Sequence, residues 1–324
     1  MNLAHIHLLL NHFPTVGMII ALGLFLGSLI GKSEDLKRAS LVVFFGLGLI
    51  TIPTYMSGNA AQESLCKVDP TRPETPCPDA KVSRAAIETH RNAALLGFVF
   101  MEITGALAWL GLWQYRRLSR VRGGTLVAVL VLSIVTLGLM ANAANIGGGI
   151  RHPEILAGPQ LNGTQGTVGL GVDGAAIGKF VRGVPWMWPT CETLHFIGLS
   201  LLMGIVLMVD LRMLGVMKHV PFKTLHRLLP WGILGFAVNV LTGMFFFVAA
   251  PDQYTTNGAF QWKMIFVMIA GANALYFTAF DEAWALGPGD DAPFTAKFAA
   301  MSAVVLWIGV MYCGSMLPFL GNAF

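Results

Sequence analysis

Residues 124–145 read GTLVAVLVLSIVTLGLMANAAN, 22 residues without one Asp, Glu, Lys, Arg or His. As a helix rising 1.5 Å per residue, this stretch runs about 33 Å, enough to cross the hydrocarbon of a bilayer. Backbone N–H and C=O groups in lipid must be satisfied within the segment itself, so the run reads as a helix rather than a lone strand. Outward from it, comparable runs occur near 11–31, 39–57, 90–115, 190–215, 229–250, 262–282 and 295–319. Eight such runs in one chain predict an all-α integral membrane protein with eight transmembrane helices, arranged as two parallel four-helix bundles.

The composition agrees. Apolar residues make up 55% of the 324 residues and charged residues only 12%, about half the charge of a soluble domain. Mean hydropathy is +0.66. An ordinary cytoplasmic enzyme is excluded, and so are disordered and fibrous chains. The net charge of +4 does not point to nucleic acid, because the basic residues lie in short loops between apolar runs. The expected organisation is a first bundle over 1–145 with a polar loop at 58–89, a Gly-rich linker or cap at 146–189, and a second bundle over 190–324.

Orientation is read from Lys and Arg in the loops. One set of loops carries 12 of the 21 basic residues, including Arg116, Arg117, Arg120 and Arg122; the other carries 9. The denser set is expected in the cytoplasm, which places both termini on the periplasmic side of a bacterial inner membrane. The first residues lack a basic region, so no cleavable leader is expected. Cys66 and Cys77 then fall in an oxidising compartment, and a disulfide between them is expected. Cys191 and Cys313 read as buried thiols. No Cys-x-x-Cys-His run occurs, so haem is not expected to be covalently attached.

The two halves echo one another. His12-Phe13 opens the first span and His195-Phe196 the fifth; Asp35-Leu36-Lys37-Arg38 and Asp210-Leu211-Arg212 follow them. The third span of each half begins with a cation, His90-Arg91 in one and Lys263 in the other. The first half, through His7-x-x-x-x-His12-Phe13-Pro14 and Glu88-Thr89-His90, resembles an uncharacterised bacterial family of membrane proteins. The second half resembles another uncharacterised four-helix membrane family. Its matching residues are His195-Phe196-Ile197-Gly198, Asp210-Leu211-Arg212-Met213-Leu214-Gly215 and Phe260-x-x-Lys263. The resemblance implies four-helix bundles, b-type haem, and association with periplasmic electron-transfer chains.

Ionisable residues inside a membrane are costly and are functional candidates by default. His12 and His90 begin helices at similar depth, and two neutral imidazoles can hold a haem iron from both sides. His7 lies roughly 140° around the helix from His12 and reads as a supporting group or a neighbour of a haem propionate. A His5, His7 and His12 metal site is the alternative there. His195 sits one turn inside its helix and should face Lys263. That pair admits a haem with a second kind of ligand, a polar pocket without haem, or a quinone headgroup. Glu102, in mid-helix, reads as a proton relay or as paired with Asn239, Thr242 or Asn273. Arg212 is expected to staple two helices through Asp281, and His219 and His226 to lie at a lipid surface.

The expected role is a b-type haem electron-transfer subunit between the quinone pool and a periplasmic c-type cytochrome or dehydrogenase. No helix carries two histidines four turns apart, so a stacked pair of haems across the bilayer is not expected. The rival readings are a transporter or channel, because parallel repeats also build transporters, and a cofactor-free structural subunit of a respiratory assembly.

Overall fold

The structure is a computed structural model, and it describes residues 3–66, 77, 82–150, 170–279 and 285–320. Asp281 and Glu282, and most of the two polar loops, lie outside the described residues. Twelve helices are seen among those described: α1 (Leu3–Leu10), α2 (His12–Ile30), α3 (Glu34–Leu65), α4 (Arg84–Leu118), α5 (Gly123–Gly149), α6 (Gly174–Gly183), α7 (Met187–Met213), α8 (Phe222–His226), α9 (Leu229–Ala249), α10 (Pro251–Thr255), α11 (Gly258–Ala279) and α12 (Phe294–Leu320). Taking α1 with α2 and α8 with α9, these give eight segments long and apolar enough to cross a membrane.

The helices outrun the apolar runs that announce them. α3 begins at Glu34, behind an Ser33 cap whose Oγ accepts from the Leu36 N–H at 3.3 Å. Glu34 and Asp35 in its first turn suit the positive end of the helix dipole. It continues to Leu65, well past the predicted end near 57. The first span differs most. The chain is already helical from Leu3, and α1 packs against α3. The Asn11 N–H still donates to His7 O at 2.9 Å, so the join to α2 keeps helical bonding.

The helices are apolar on their outer faces as well as inside. Large apolar residues such as Phe13, Ile19, Ile30, Val131, Ile269, Phe298 and Val305 face outward. Small hydroxyls such as Ser28, Thr51, Ser133 and Thr136 are buried. Large apolar residues such as Phe25, Phe44 and Met101 are buried beside them, so small hydroxyls and large apolar side chains share the interhelical contacts.

The chain divides into two compact units, 1–104 with 129–174 and 105–128 with 175–324, the division falling inside α4 and α5. In unit 1, Tyr55 of α3 stacks on Phe98 of α4 with centroids 5.0 Å apart. Thr104 and Thr136 hydroxyls join α4 to α5 at 3.0 Å. Cys66 and Cys77 form a disulfide, packed with Val82, Ile87 and Ile150 where α3 and α5 end and α4 begins.

In unit 2, α7 and α9 cross at Gly198 and Gly235; a Cβ on either would lie within 3.0 Å of the other's carbonyl oxygen. At the opposite end of α7, Arg212 is fully buried over the Phe222 ring. It donates to the carbonyls of Val220 at 2.7 Å, Gly287 at 2.9 Å and Asp290 at 3.2 Å. These bonds tie two loops together. His226 is buried rather than surface-exposed: its carbonyl accepts from Trp113 Nε1 at 2.7 Å and its ring lies against the same indole. In the neighbouring loop Asp291 pairs with Lys297 at 2.8 Å and Lys218 at 3.2 Å. Hydrogen bonds from these ammonium groups hold its carboxyl below the ordinary carboxylate range.

Candidate functional site

Unit 1 seats two histidines in the same way. His7 of α1 directs Nδ1 at Thr54 O of α3, 2.9 Å away. His90, near the start of α4, directs Nδ1 at Ala143 O of α5, also 2.9 Å away. A carbonyl only accepts, so each Nδ1 carries the proton and the neutral ring keeps its lone pair on Nε2.

Each ring also lies over a glycine four residues beyond the accepting carbonyl. A helical carbonyl points toward residue i+4, so a ring reaching that oxygen must cross the i+4 position. A Cβ at Gly58 would stand 3.2 Å from His7 Cε1, and one at Gly147 only 2.8 Å from His90 Cε1. Arg91, the next residue of α4, has a buried Nε with no hydrogen-bond partner among the described residues.

His12, which the sequence pairs with His90, is exposed at the first residue of α2. α1 turns His7 toward α3, and the join at Asn11 leaves His12 on the outward side. His5 is exposed as well, and no group of three or more His, Cys, Asp or Glu able to hold a metal ion gathers among the described residues. Glu102 lies 12 residues along α4 from His90, about 18 Å by helix rise, so it is no part of this site. Its buried Oε1 has no hydrogen-bond partner among the described residues. The amides proposed for it are engaged elsewhere. Asn239 donates to Gly235 O at 2.9 Å and Asn273 to Ala299 O at 2.8 Å.

Unit 2 contains His195 and Lys263. His195 Nδ1 lies 2.7 Å from Thr242 Oγ1, and that hydroxyl donates to Val238 O at 2.7 Å. The hydroxyl proton being used, Thr242 accepts, so Nδ1 of His195 is again the protonated nitrogen and Nε2 is bare. Phe246 meets the ring edge-on at 5.8 Å, and Trp188 packs on Phe246 at 4.9 Å. Gly243 faces the ring, with His195 Cε1 3.9 Å from where its Cβ would be.

Lys263 of α11 extends toward α12, its Nζ 3.7 Å from the Cβ position of Gly314. Its side chain is half-buried. At the nearby end of α9, Tyr254 packs on Phe260 at 5.1 Å; burial, with the Glu192 carboxylate adding to it, pushes its phenol up to about 12.

Four residues near helix starts therefore each meet a glycine near the end of a following helix: His7 with Gly58, His90 with Gly147, His195 with Gly243, Lys263 with Gly314. Sequence reasoning singles out all four residues. It misses the glycines and the carbonyls, which lie about fifty residues away along the chain. Residues 173–320, most of unit 2, match a family of unknown function (DUF6644). No curated protein and no solved structure matches the chain.

Proposed function

We propose that the protein is a membrane b-type haem electron-transfer subunit, in a bacterial inner membrane with both termini periplasmic. In this reading it serves between the quinone pool and a periplasmic c-type cytochrome or dehydrogenase. The observation that carries the reading is the matched seating of His7 and His90, two neutral imidazoles in one unit with Nε2 bare and Nδ1–H held by a helix carbonyl. Ligating histidines are held in this way when a second group fixes the tautomer and raises the basicity of the free nitrogen.

The fit to haem rests on three features of unit 1. His7 and His90 bring two imidazole nitrogens from two helices of one unit, the donor type that would hold a b-type haem iron. Glycines at 58 and 147 give both rings room against the backbone. The orphaned Arg91 Nε offers a charge-assisted bond to a propionate. When bound, haem supplies a one-electron iron couple. The chain's own part is to orient the rings, keep water from the ligands and set the basicity of Nε2. The disulfide cluster of Cys66, Val82, Ile87 and Ile150 fixes the ends of the helices that carry Gly58, His90 and Gly147.

The test is the visible spectrum of protein purified in detergent from haem-replete cells, oxidised and then dithionite-reduced. The reading expects the sharp reduced bands of a low-spin b-type haem. A preparation without visible absorbance would overturn it.

A further inference from the structure

Helix α6 is the one long helix turn of unit 2 that is not part of a span. Its ten residues, GAAIGKFVRG, are too few to cross a bilayer, and they hold two cations and no carboxylate. At about 100° per residue the helix presents three faces. Gly174, Ile177, Gly178 and Val181 form one stripe, in which Gly174, Gly178 and Val181 are buried. Lys179 and Arg182 fall about 120° to one side of that stripe and Phe180 about 110° to the other. All three are exposed.

The buried stripe rests on the end of α9. A Cβ on Gly178 would lie 2.7 Å from Val248 O and 3.3 Å from Ala249 Cα, so only glycine lets the two helices come this close. Ala249 ends one apolar span, and the span of α7 opens at Met187, just beyond α6. Both neighbours therefore place α6 at the boundary between hydrocarbon and water. Phe180 is 51% exposed there, and Trp186, between α6 and α7, is 62% exposed. Aromatic rings favour this boundary, and Lys or Arg side chains there attract anionic headgroups.

We propose that α6 holds an anionic phospholipid. Lys179 and Arg182 take the headgroup phosphate, and Phe180 and Trp186 lie against the acyl chains. A phospholipid is the molecule that presents a phosphate and an apolar chain together at this depth. The two cations select its class. A zwitterionic headgroup brings an ammonium of its own, which the second cation repels; an anionic headgroup brings none. This lipid site is independent of the haem reading of unit 1.

The experiment is native mass spectrometry of the full-length protein released from nanodiscs with equal amounts of phosphatidylglycerol and phosphatidylcholine. Wild type is expected to keep a phosphatidylglycerol after phosphatidylcholine has been stripped. Lys179→Gln with Arg182→Gln should weaken that retention about thirtyfold, roughly fivefold for each charge at a membrane surface. Lys223→Gln with Arg227→Gln removes two exposed cations at the opposite end of the α9 span and should leave it unchanged. Inorganic phosphate should not displace the lipid. In phosphatidylglycerol vesicles, a nitroxide on Phe180→Cys should meet oxygen more readily than a water-soluble nickel chelate, and one on Lys179→Cys the reverse.

Full retention in the Lys179 and Arg182 variant, or equal loss in the Lys223 and Arg227 variant, would overturn the lipid site. So would retention of phosphatidylcholine as readily as phosphatidylglycerol. Displacement by inorganic phosphate would assign the cations to a free anion instead. A nitroxide at 180 that nickel reaches as readily as one at 179 would put both faces in water and refute the seating of the acyl chains.

Discussion

Adjacent glycines at 147 and 148 make a controlled pair. A Cβ on Gly147 would lie 2.8 Å from His90 Cε1 and 3.0 Å from Nδ1, whereas one on Gly148 meets nothing within 4 Å. Carbon atoms pack best at about 3.5–4.0 Å, so Gly147→Ala must drive the ring back by roughly 0.7 Å or more. The ring is tethered by Nδ1 to Ala143 O at 2.9 Å, and a retreat of that size along the bond takes it to about 3.6 Å, outside hydrogen-bond range. The lost bond costs about 1 kcal/mol and the overpacking about 1–3 kcal/mol. Better helix propensity returns about 1 kcal/mol. The net expectation is a loss of about 1–3 kcal/mol for Gly147→Ala and a gain of up to about 1 kcal/mol for Gly148→Ala. Thermal unfolding in detergent reads the stability, and the ratio of haem to polypeptide reads ligation; both should fall for Gly147→Ala alone. Equal melting temperatures with equal haem content for the two variants would refute the seating of His90.

Arg212→Met should cost about 3 kcal/mol or more, because it abandons the carbonyls of Val220, Gly287 and Asp290 in a buried site; an unchanged melting temperature in detergent would contradict the loop-tying role. Asp291 is held below the ordinary carboxylate range by Lys297 and Lys218, so its stabilising pairing is fully present above the unfolded value near pH ~4 and is lost as pH falls through the folded one. Asp291→Asn should therefore lower the melting temperature near neutrality and converge with wild type in acid, and a difference that persists in acid would argue against the pairing. Replacing Cys66 and Cys77 together by serine opens an 11-residue separation and should cost about 3 kcal/mol. Mass spectrometry of unreduced, alkylated wild type checks the bond directly, and labelling of both thiols would contradict it.

The spans were legible because lipid selects for a property that adds along the chain, and residues 124–145 show it without any partner in view. Helix ends were less so. α3 runs on from the predicted 57 to Leu65 because helical bonding continues in polar surroundings, where hydropathy says nothing. The site divides in the same way. His90, His195 and Lys263 stand out as ionisable residues at the mouths of apolar runs, and structure places each against a following helix. The choice between His7 and His12 was not available from periodicity, which says that they point apart but not which of them meets protein. That depends on α1 packing on α3, with Thr54 and Gly58 about fifty residues downstream. The basic loop around His226 points to a lipid-surface group. Trp113, more than a hundred residues earlier, covers it instead.

The central claim is that His7 and His90 share one haem. It is tested most directly by low-spin haem content in His7→Ala, His12→Ala and His90→Ala proteins, measured by reduced-minus-oxidised spectra and paramagnetic resonance at equal polypeptide concentration. The account predicts that His7→Ala and His90→Ala each lose the same spectral component, while His12→Ala keeps the wild-type content. Full wild-type haem in both the His7→Ala and His90→Ala proteins, or loss of that component in His12→Ala with retention in His7→Ala, would contradict it.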